Sequence, residues 1–564
     1  MKFRHTMLAL LAATAIAGCK PAAPTVDFAK FTQATIDGFL KQDPYFAVYQ
    51  GAHQYDGKWA DWSEAGLKAR GDFLRGVIAQ AKAYEGLSDA DSLTRDYMVK
   101  VAEGQLFWLE EADQPHKNPA WYNGSFDPNV YLTREYADKP TRLKALIAFL
   151  DGVPKAAQQV QANLKTPLPA SFIKFGASAF GGYAEFYRGD MLKAFADVKD
   201  PALQKQLAES AGKAATAMTG LTDWLKSQEK DATQDFVLGE ARFARMLSAT
   251  EGVDTPLAEL QKAGEADLAR NQAALKDECG KFAPGKSVPD CMLQLNANRP
   301  EGGAVAEATR QIPDLTAFVK KQDLLTIPGT EQALVRQSPP YNAQNGAYID
   351  PPGPFEKGIP SIYYIAAPDP SWPKEKQLAY IPGKKDLLFT SVHEVMPGHF
   401  LQFLHANRSP SMFGRLFVGY AFAEGWAHYS EEMMWEAGYG AGDPETHIGQ
   451  LSNALLRDCR FLSAIGLHTK GMTLDQSKQM FMQQCFQDEG TAEQQAARGT
   501  YDPAYLNYTL GKLMIRKLRT DWTATHGGRA GWKAFHDTFL SYGGPPIPLV
   551  RAAMLGEKEA KAAF

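Results

Sequence analysis

An apolar seam at helical spacing, from residue 203 to residue 225, constrains the fold of this chain more than any other feature. Its members recur every three or four positions over about six turns, as the buried face of an amphipathic helix does. They are Leu203, Leu207, Ala211, Ala214, Met218, Leu221 and Leu225. Asp200 is suited to cap this helix, and Pro201 to occupy its first position. With similar patterns elsewhere, the seam predicts a mainly α-helical protein.

Further patterns predict additional helices and one strand. Apolar positions at 143–150 and again at 153–164 predict two core-facing helices separated at Gly152. Thr255-Pro256 predicts another helix start, similar to that at Asp200-Pro201. The β-branched and aromatic run from Ser361 to Ile365, bounded by prolines, predicts a short strand.

The chain shows no sign of division into separate domains. Its 564 residues contain no Gly/Ser-rich linker and no repeat of fixed period. We therefore expect residues 27–564 to form a single helical domain, and a two-lobed arrangement stays open. The formal net charge of −4 argues against a nucleic-acid partner. After the N-terminal segment, no stretch is apolar enough to cross a membrane.

The first residues have the pattern of a bacterial lipoprotein signal. Lys2 and Arg4 precede an apolar run that ends in Ile16-Ala-Gly-Cys19. Residues 1–18 are therefore predicted to be the signal peptide, with Cys19 lipidated and residues 19–26 forming a tether. The alternative is an ordinary secretory signal with an incidental cysteine. Lys20, by similarity to enterobacterial sorting, favours the outer membrane, so we expect a lipid anchor in the cell envelope.

Four more cysteines follow, and export makes disulfides feasible. Cys279 and Cys291 flank a loop that contains glycine and proline, and they form the favoured pair. Cys459 and Cys485 lie on consecutive predicted helices and would join them. Free thiols and other pairings remain open at this point.

The residues with the clearest chemical meaning are His393, Glu394 and His399. The two histidines are six positions apart, which leaves them about 120° apart around an ideal helix. Pro397 and Gly398 between them must interrupt the helix, and such a break lets both rings turn toward one metal ion. The alternative is a Pro-Gly turn between two helices that carry incidental histidines.

A carboxylate on a second predicted helix strengthens the metal interpretation. Glu424 lies 25 residues beyond His399, a distance that a helix-loop-helix return can span. His393, His399 and Glu424 would supply three ligands and leave a fourth position for water, as catalytic zinc requires. Glu394 would be the general base that deprotonates the attacking water.

These two segments carry a resemblance to a known family. HEVMPGHFLQ at 393–402 and EGWAHYSE at 424–431 resemble the HExxPGHxxQ and EGWxxYxE signatures of the bacterial domain-of-unknown-function 885 family. That family resembles gluzincin metallopeptidases, which implies a large helical zincin-like fold with a cleft and a small β-sheet near the metal helix. His428 departs from the pattern, because an apolar residue is expected there. In zincin-like sites a strand edge commonly holds the substrate, so the strand at 361–365 has either that role or a purely structural one.

Two later helices carry polar stripes. Asn453, Arg457, Arg460 and His468 recur at helical spacing, and Tyr505, Tyr508, Lys512, Arg516 and Arg519 share a side of the next helix. Solvated helix faces are the simpler explanation. By resemblance to family motifs, His468 is expected to bind the carbonyl oxygen, and Tyr508 is favoured over Tyr505 as an oxyanion donor. Arg457, Arg460 and Lys512 are candidates for binding a substrate carboxylate.

Taken together, these residues predict a zinc-dependent peptidase anchored in the cell envelope, with peptide substrates and water activated by Glu394. Two alternatives remain at the level of sequence. One is a noncatalytic envelope lipoprotein that binds peptides or a protein partner. The other is a metal-dependent hydrolase of a nonpeptide amide or ester, acting with the same residues.

Overall fold

The structure, a computed structural model, describes residues 26–342 and 345–557. The predicted signal peptide, Cys19 and Lys20 lie outside the described residues. Helices α1 to α15 are Phe28–Gln42, Pro44–Tyr49, Glu64–Lys82, Asp89–Leu106, Gln114–Lys117, Ala120–Asn123, Asn129–Thr133, Lys139–Asn163, Ala170–Arg188, Asp190–Lys193, Pro201–Ser227, Glu240–Glu251, Leu257–Phe282, Val288–Ala297 and Ala304–Lys321.

The C-terminal part contains three strands and the remaining helices. Strands β1, β2 and β3 are Ala333–Gln337, Ala347–Asp350 and Ser361–Ile365. Helices α16 to α26 are Lys374–Tyr380, Lys384–Glu394, His399–Ala406, Met412–Leu416, Tyr420–Glu436, Pro444–Thr469, Leu474–Gln483, Glu489–Tyr501, Asn507–Thr523, Trp532–Ser541 and Ile547–Leu555. The prediction of a mainly helical protein with a small sheet is confirmed.

Helix α11 begins and packs as its sequence pattern predicts. The Asp200 side chain accepts hydrogen bonds from the backbone N–H groups of Ala202 and Leu203, and Pro201 is the first helical residue. The apolar seam is buried in full. At residue 255 the start is different, because α13 begins at Leu257 after Pro256 and receives no side-chain cap.

Residues 143–164 contradict the prediction of two helices. The single helix α8 runs through Gly152 and Pro154. A Cβ at Gly152 would lie 2.2 Å from the Trp59 ring, so the glycine permits a close contact with Trp59 rather than ending a helix. Glycine in a helix therefore marked a packing site here.

The sheet lies beside the helix that carries the predicted metal motif. Its order is β1-β3-β2, with β3 parallel to β1 and antiparallel to β2. Strand β3 confirms the prediction for Ser361–Ile365, but both its edges are already paired, so the expectation that it offers an edge to substrate is wrong. Tyr363 of β3 is fully buried, and burial together with the nearby Glu394 carboxylate raises its pKa.

Buried apolar residues form two clusters. One is built mainly from residues 28–225, and the other mainly from residues 238–550. Disulfides join Cys279 to Cys291 and Cys459 to Cys485, the two pairings favoured from the sequence. The first connects α13 to α14, and the second connects α21 to the segment after α22. Of the helices that the structure describes, none combines the length and apolar character needed to span a membrane.

Candidate metal centre

The predicted break between the two histidines is present. Helix α17 ends at Glu394 and α18 begins at His399. The Gly398 N–H donates to the Val392 carbonyl at 2.9 Å, and a Cβ at Gly398 would lie 1.8 Å from the His393 carbonyl oxygen. Only glycine fits that approach. The Trp426 indole N–H donates to the Pro397 carbonyl at 2.9 Å and so ties the turn to α20.

The break brings His393, His399 and Glu424 together. Nε2 of each histidine lies 3.1 Å from Oε2 of Glu424, and the three potential ligand atoms are within 4.8 Å of one another. The two rings are nearly perpendicular, with an interplanar angle of 89°. Two imidazole nitrogens and one carboxylate oxygen that converge from two helices are a donor set suited to zinc. Although burial raises the pKa of Glu424, the adjacent histidines hold it well below its usual value.

Glu431 orients His393 by contacting the ring nitrogen that does not face Glu424. Nδ1 of His393 donates to Oε1 of Glu431 at 2.7 Å, which leaves the Nε2 lone pair directed at the cluster. Arg457 lies 3.4 Å from the same oxygen, and His428 lies 3.4 Å from the other oxygen. Burial favours a higher pKa for Glu431, but Arg457 and the histidines hold it below its usual value. Glu431 therefore stays charged and fixes the His393 tautomer.

Glu394 is next to this cluster and has a different environment. The residue is only 6 % exposed, and its carboxylate makes no hydrogen bond to any group among the described residues. Burial is the main cause that raises its pKa, and Glu424 adds to it, while His399 and His393 oppose the rise. A buried carboxylate without a fixed partner, close to two imidazoles, has the properties expected of a general base.

Tyr508 faces the cluster from α24. Its ring stacks on His393 with centroids 5.9 Å apart. Helices α20 and α24 approach closely at Gly425 and Gly511, where a Cβ on Gly425 would lie 2.4 Å from the Gly511 Cα. Arg498 donates to the Tyr508 hydroxyl at 3.4 Å, so the hydroxyl proton remains available to a substrate oxygen.

Two predicted site residues have other roles in the structure. His468 is fully buried, donates through Nε2 to the Gly499 carbonyl at 2.7 Å and accepts at Nδ1 from the Leu238 N–H at 3.3 Å. Both ring nitrogens are occupied, and burial lowers its pKa to about 4, so in this structure the ring has no free nitrogen for the carbonyl oxygen that His468 is expected to bind.

Lys512 is also fully buried, and its ammonium pairs with Asp267 and lies 3.7 Å from Glu432. The Lys512 ammonium is therefore held in internal ion pairs, whereas its sequence pattern predicts that it binds a substrate carboxylate.

Arg457 and Arg460 are separated by one helical turn and differ in their partners. Besides its contact with Glu431, Arg457 donates to the side chain and carbonyl of Asn453 at 2.6 and 2.9 Å. Arg457 therefore positions Glu431, and its expected role in binding substrate stays a prediction. Arg460 donates to Gln495 at 2.7 Å and lies 4.5 Å from the centre of the Tyr508 ring.

Sequence reasoning missed three residues of this region: Glu431, Tyr420 and Arg498. Arg498 donates to the Tyr420 hydroxyl at 2.9 Å and to Asp502 at 2.9 Å, in addition to Tyr508. Glu431 ends the EGWAHYSE segment, and its place seven residues after Glu424 on the same helix face was a usable signal. Arg498 lies among alanines and glutamines on α23, and nothing local distinguishes it.

A cavity of about 1050 Å³ lies beside the cluster. Its wall includes Phe403, which packs near His399, and Tyr420 and Arg498, which contact Tyr508. Aromatic side chains such as Trp121 and Trp372 line it from both halves of the chain. Its described lining residues do not include the three potential metal ligands, so the cavity reaches the residues that flank the cluster.

Solved structures show the same fold. A structure described as a "putative lipoprotein of unknown function from Shewanella oneidensis" has a TM-score of 0.76 and 25 % identity, covering 94 % of this chain and all of that one. A "putative lipoprotein from Colwellia psychrerythraea" has a TM-score of 0.78 and 17 % identity, covering 94 % and 98 % of the two chains.

No curated protein matches the chain. The sequence pattern of a family described as "Bacterial protein of unknown function (DUF885)" matches residues 44–554, which is most of the chain. The protein therefore belongs to the bacterial DUF885 family.

Proposed function

We propose that this protein is a zinc-dependent peptidase of the bacterial cell envelope. The observation that carries the proposal is the convergence of His393, His399 and Glu424 within 4.8 Å, beside a buried Glu394 whose carboxylate has no hydrogen-bond partner among the described residues. A protein that only binds peptides needs no such carboxylate at a metal-ligand cluster. The resemblance to gluzincin peptidases is part of this proposal.

The residues of the site divide the chemistry among them. Zinc held by His393, His399 and Glu424 would supply Lewis-acid polarisation of a scissile carbonyl and increase the acidity of water. Glu394 accepts a proton from the attacking water at its carboxylate and returns it to the leaving amine. The Tyr508 hydroxyl donates a hydrogen bond to the developing oxyanion, and such donors are typically worth about 3 kcal/mol of transition-state stabilisation.

Supporting residues keep this geometry fixed. Glu431 holds the His393 ring by its Nδ1–H, and Arg457 keeps Glu431 charged. Arg498 donates to the Tyr508 oxygen and thereby turns the phenolic proton away from itself. The cavity next to Tyr508 offers apolar contacts to the side chains of a peptide.

Location in the cell envelope is part of the same proposal. The Ile16-Ala-Gly-Cys19 junction supports lipidation at Cys19, and both structural relatives are described as putative lipoproteins. A Cys19→Ala protein should lose its lipid and move to the soluble periplasmic fraction. Membrane retention equal to that of the parent would argue against the anchor, and fractionation of the two membranes tests the outer-membrane assignment.

Metal analysis combined with a cleavage assay tests the enzymatic proposal. Protein from zinc-replete medium should contain about one zinc per chain, and it should cleave members of a peptide library in a chelator-sensitive way. Metal-free protein, or cleavage that a chelator leaves unchanged, would contradict the proposal. Peptide binding without cleavage would favour the noncatalytic lipoprotein, and hydrolysis restricted to nonpeptide esters or amides would favour the third class.

A further inference from the structure

Arg460 is a buried cation without an acidic partner. It is 8 % exposed, and its Nε donates to the Gln495 side chain at 2.7 Å. Within the described part of the chain, no carboxylate lies at ion-pair distance from its guanidinium, and its two terminal nitrogens make no hydrogen bond. A guanidinium that is largely removed from water and has no opposite charge nearby is costly, so this position is suited to bind an anion.

The neighbouring cations show that this is not a general property of the region. Arg457 lies 3.4 Å from Glu431, and Arg498 donates to Asp502 at 2.9 Å. Lys512, on the facing helix, pairs with Asp267. Of these four cations only Arg460 lacks an acidic partner among the described residues, although all four belong to the same set of packed helices.

Arg460 is also placed between the catalytic groups and the cavity. Its guanidinium carbon lies 4.5 Å from the centre of the Tyr508 ring, and that ring stacks on His393. Gln495, which accepts its hydrogen bond, lines the cavity together with Arg498. The Arg498 guanidinium lies 5.8 Å from the same Tyr508 ring. An anion bound at Arg460 would therefore lie within a residue or two of a carbonyl held at Tyr508.

We propose that Arg460 binds the free C-terminal carboxylate of a short peptide, which makes the protein an exopeptidase that acts at the carboxyl end. This inference rests on the proposed peptidase function. A guanidinium matches a carboxylate with two parallel hydrogen bonds, and the two unpaired Arg460 nitrogens can supply them. The cavity of about 1050 Å³ suits a peptide of a few residues.

Matched peptide libraries test this specificity. Random tetrapeptides without Asp or Glu are prepared with free C-terminal carboxylates and, separately, with C-terminal amides. A third library has amide ends and one Asp or Glu, because an acidic side chain is the other possible source of the carboxylate. Mass spectrometry measures initial cleavage rates with the zinc-loaded parent, Arg460→Gln and Arg460→Lys. Arg245→Gln is the control, because Arg245 pairs with Glu111 on the surface, with both side chains 41 % exposed.

The parent and Arg245→Gln should cleave free acids at least about tenfold faster than both amide libraries. Arg460→Gln should abolish this ratio by slowing cleavage of the acids far more than cleavage of the amides, with unchanged zinc content. Arg460→Lys should retain part of the preference, since it keeps the charge but loses the paired geometry. Three outcomes would overturn the inference. The first is that the parent cleaves acids and amides at equal rates, the second is that it prefers peptides with an internal Asp or Glu, and the third is that Arg460→Gln slows cleavage of acids and amides to the same extent.

Binding separates a failure of this inference from a failure of the peptidase proposal. Immobilised, zinc-loaded Glu394→Gln protein should retain the free-acid library over the amide library, and the added change Arg460→Gln should remove the difference. Selective retention without any cleavage by the parent would uphold the carboxylate site and refute the peptidase. Retention independent of the C-terminal group, or no retention, would refute the carboxylate site whatever the cleavage result.

Discussion

Glu431 and Glu432 are adjacent on α20, yet they belong to two buried clusters with opposite organisation. Glu431 belongs with the residues of the proposed active site, which we refer to as the catalytic cluster. Its other members are His393, Glu394, His399, Glu424, Arg457, Arg460 and Tyr508. Glu432 belongs to what we term the ion-pair cluster, whose members are Asp267, Arg270, Glu432, Asp458, Lys512 and Arg516. Helix α21 shows the same division, since Arg457 contacts Glu431 whereas Asp458 accepts a hydrogen bond from Asn271 at 2.6 Å.

The ion-pair cluster satisfies its own charges. Arg270 donates to Glu432 at 3.0 Å and to Asp267 at 2.7 Å, and Arg516 lies 3.2 Å from Glu432. Burial alone would raise the pKa of Glu432, but Lys512, Arg516 and Arg270 lower it to about 2. The charged groups of this cluster thus pair with one another, which is the arrangement expected of a structural network.

The catalytic cluster leaves some of its groups incomplete. Among the described residues, Glu394 has no hydrogen-bond partner and Arg460 has no acid, although both are buried. The pKa of Glu394 is raised, opposite in direction to that of Glu432. Both clusters contain buried carboxylates, so burial alone does not distinguish the proposed catalytic residues from structural ones. The distinction lies in whether each charge is already paired.

The largest expected effect is on turnover when the unpaired carboxylate is removed from the catalytic cluster. Glu394→Gln keeps the size of the side chain and removes the proton acceptor, so kcat should fall by roughly 10²- to 10⁴-fold. Zinc content and Tm should stay near the parental values, because no hydrogen bond of the described structure depends on this carboxylate. Kinetics on any identified peptide, with elemental analysis of the same samples, measure both quantities.

Two results would contradict the proposed role of Glu394 in the catalytic cluster. A Glu394→Gln protein that cleaves at close to the parental rate would remove Glu394 as the base. Loss of zinc in the same variant would mean that Glu394 is a metal ligand. Glu424→Gln is the matched variant, since it makes the same chemical change at a proposed metal ligand and should release the metal.

The ion-pair cluster should respond in the opposite way, with stability affected and chemistry preserved. Lys512→Met leaves Asp267, Asp458 and Glu432 with one cation fewer, and breaking a buried pair typically costs about 3–5 kcal/mol. Urea unfolding at pH 7 measures this loss, while kcat per zinc-loaded molecule should change little. If the free energy of unfolding of Lys512→Met is within about 1 kcal/mol of the parental value, or if its kcat falls strongly, the proposed difference between the two clusters is wrong.

Acid titration sharpens the same test. The folded pKa of Glu432, about 2, is below its ordinary value of 4.5. The pairing therefore stabilises the fold fully above pH 4.5, and this contribution is lost as the pH falls from 4.5 toward 2. The stability difference between the parent and Lys512→Met should shrink across that window as the pH falls.

The sequence predicted the groups that short motifs define. His393, His399 and Glu424 lie in two segments in which spacing and the Pro397-Gly398 break limit the possible geometry. The cap at Asp200, the strand at 361–365 and both disulfides likewise follow from local patterns. In each case the information lies within a few residues or on consecutive helices.

The sequence failed where the partner lies far along the chain. Helical spacing placed Lys512 on a polar stripe, but its partner Asp267 is 245 residues away. His468 is occupied by backbone groups at positions 238 and 499, which no side-chain pattern reveals. A polar stripe therefore shows which residues share a face and says nothing about what lies opposite.

The smallest expected effect is a difference in kcat between two variants, Tyr508→Phe and Tyr505→Phe, which distinguishes a proposed catalytic hydroxyl from a structural one. The Tyr508 hydroxyl faces the catalytic cluster, whereas the Tyr505 hydroxyl is fully buried near Gly499 and makes no hydrogen bond of good geometry to the described residues. Tyr508→Phe should lower kcat by roughly 10²-fold with little change in KM, because an oxyanion donor acts in the transition state.

Tyr505→Phe is the matched control, because it removes the same atom from a buried position where that atom makes no hydrogen bond of good geometry to the described residues. It should leave kcat/KM within about twofold of the parent and the stability unchanged or slightly higher. Steady-state kinetics and thermal unfolding of both variants provide the comparison. Equal losses of kcat in the two variants would mean that each hydroxyl supports packing of α24 against α21. In that case Tyr508 would belong with the structural residues, and Glu394 and Arg460 would remain as the groups that distinguish the catalytic cluster.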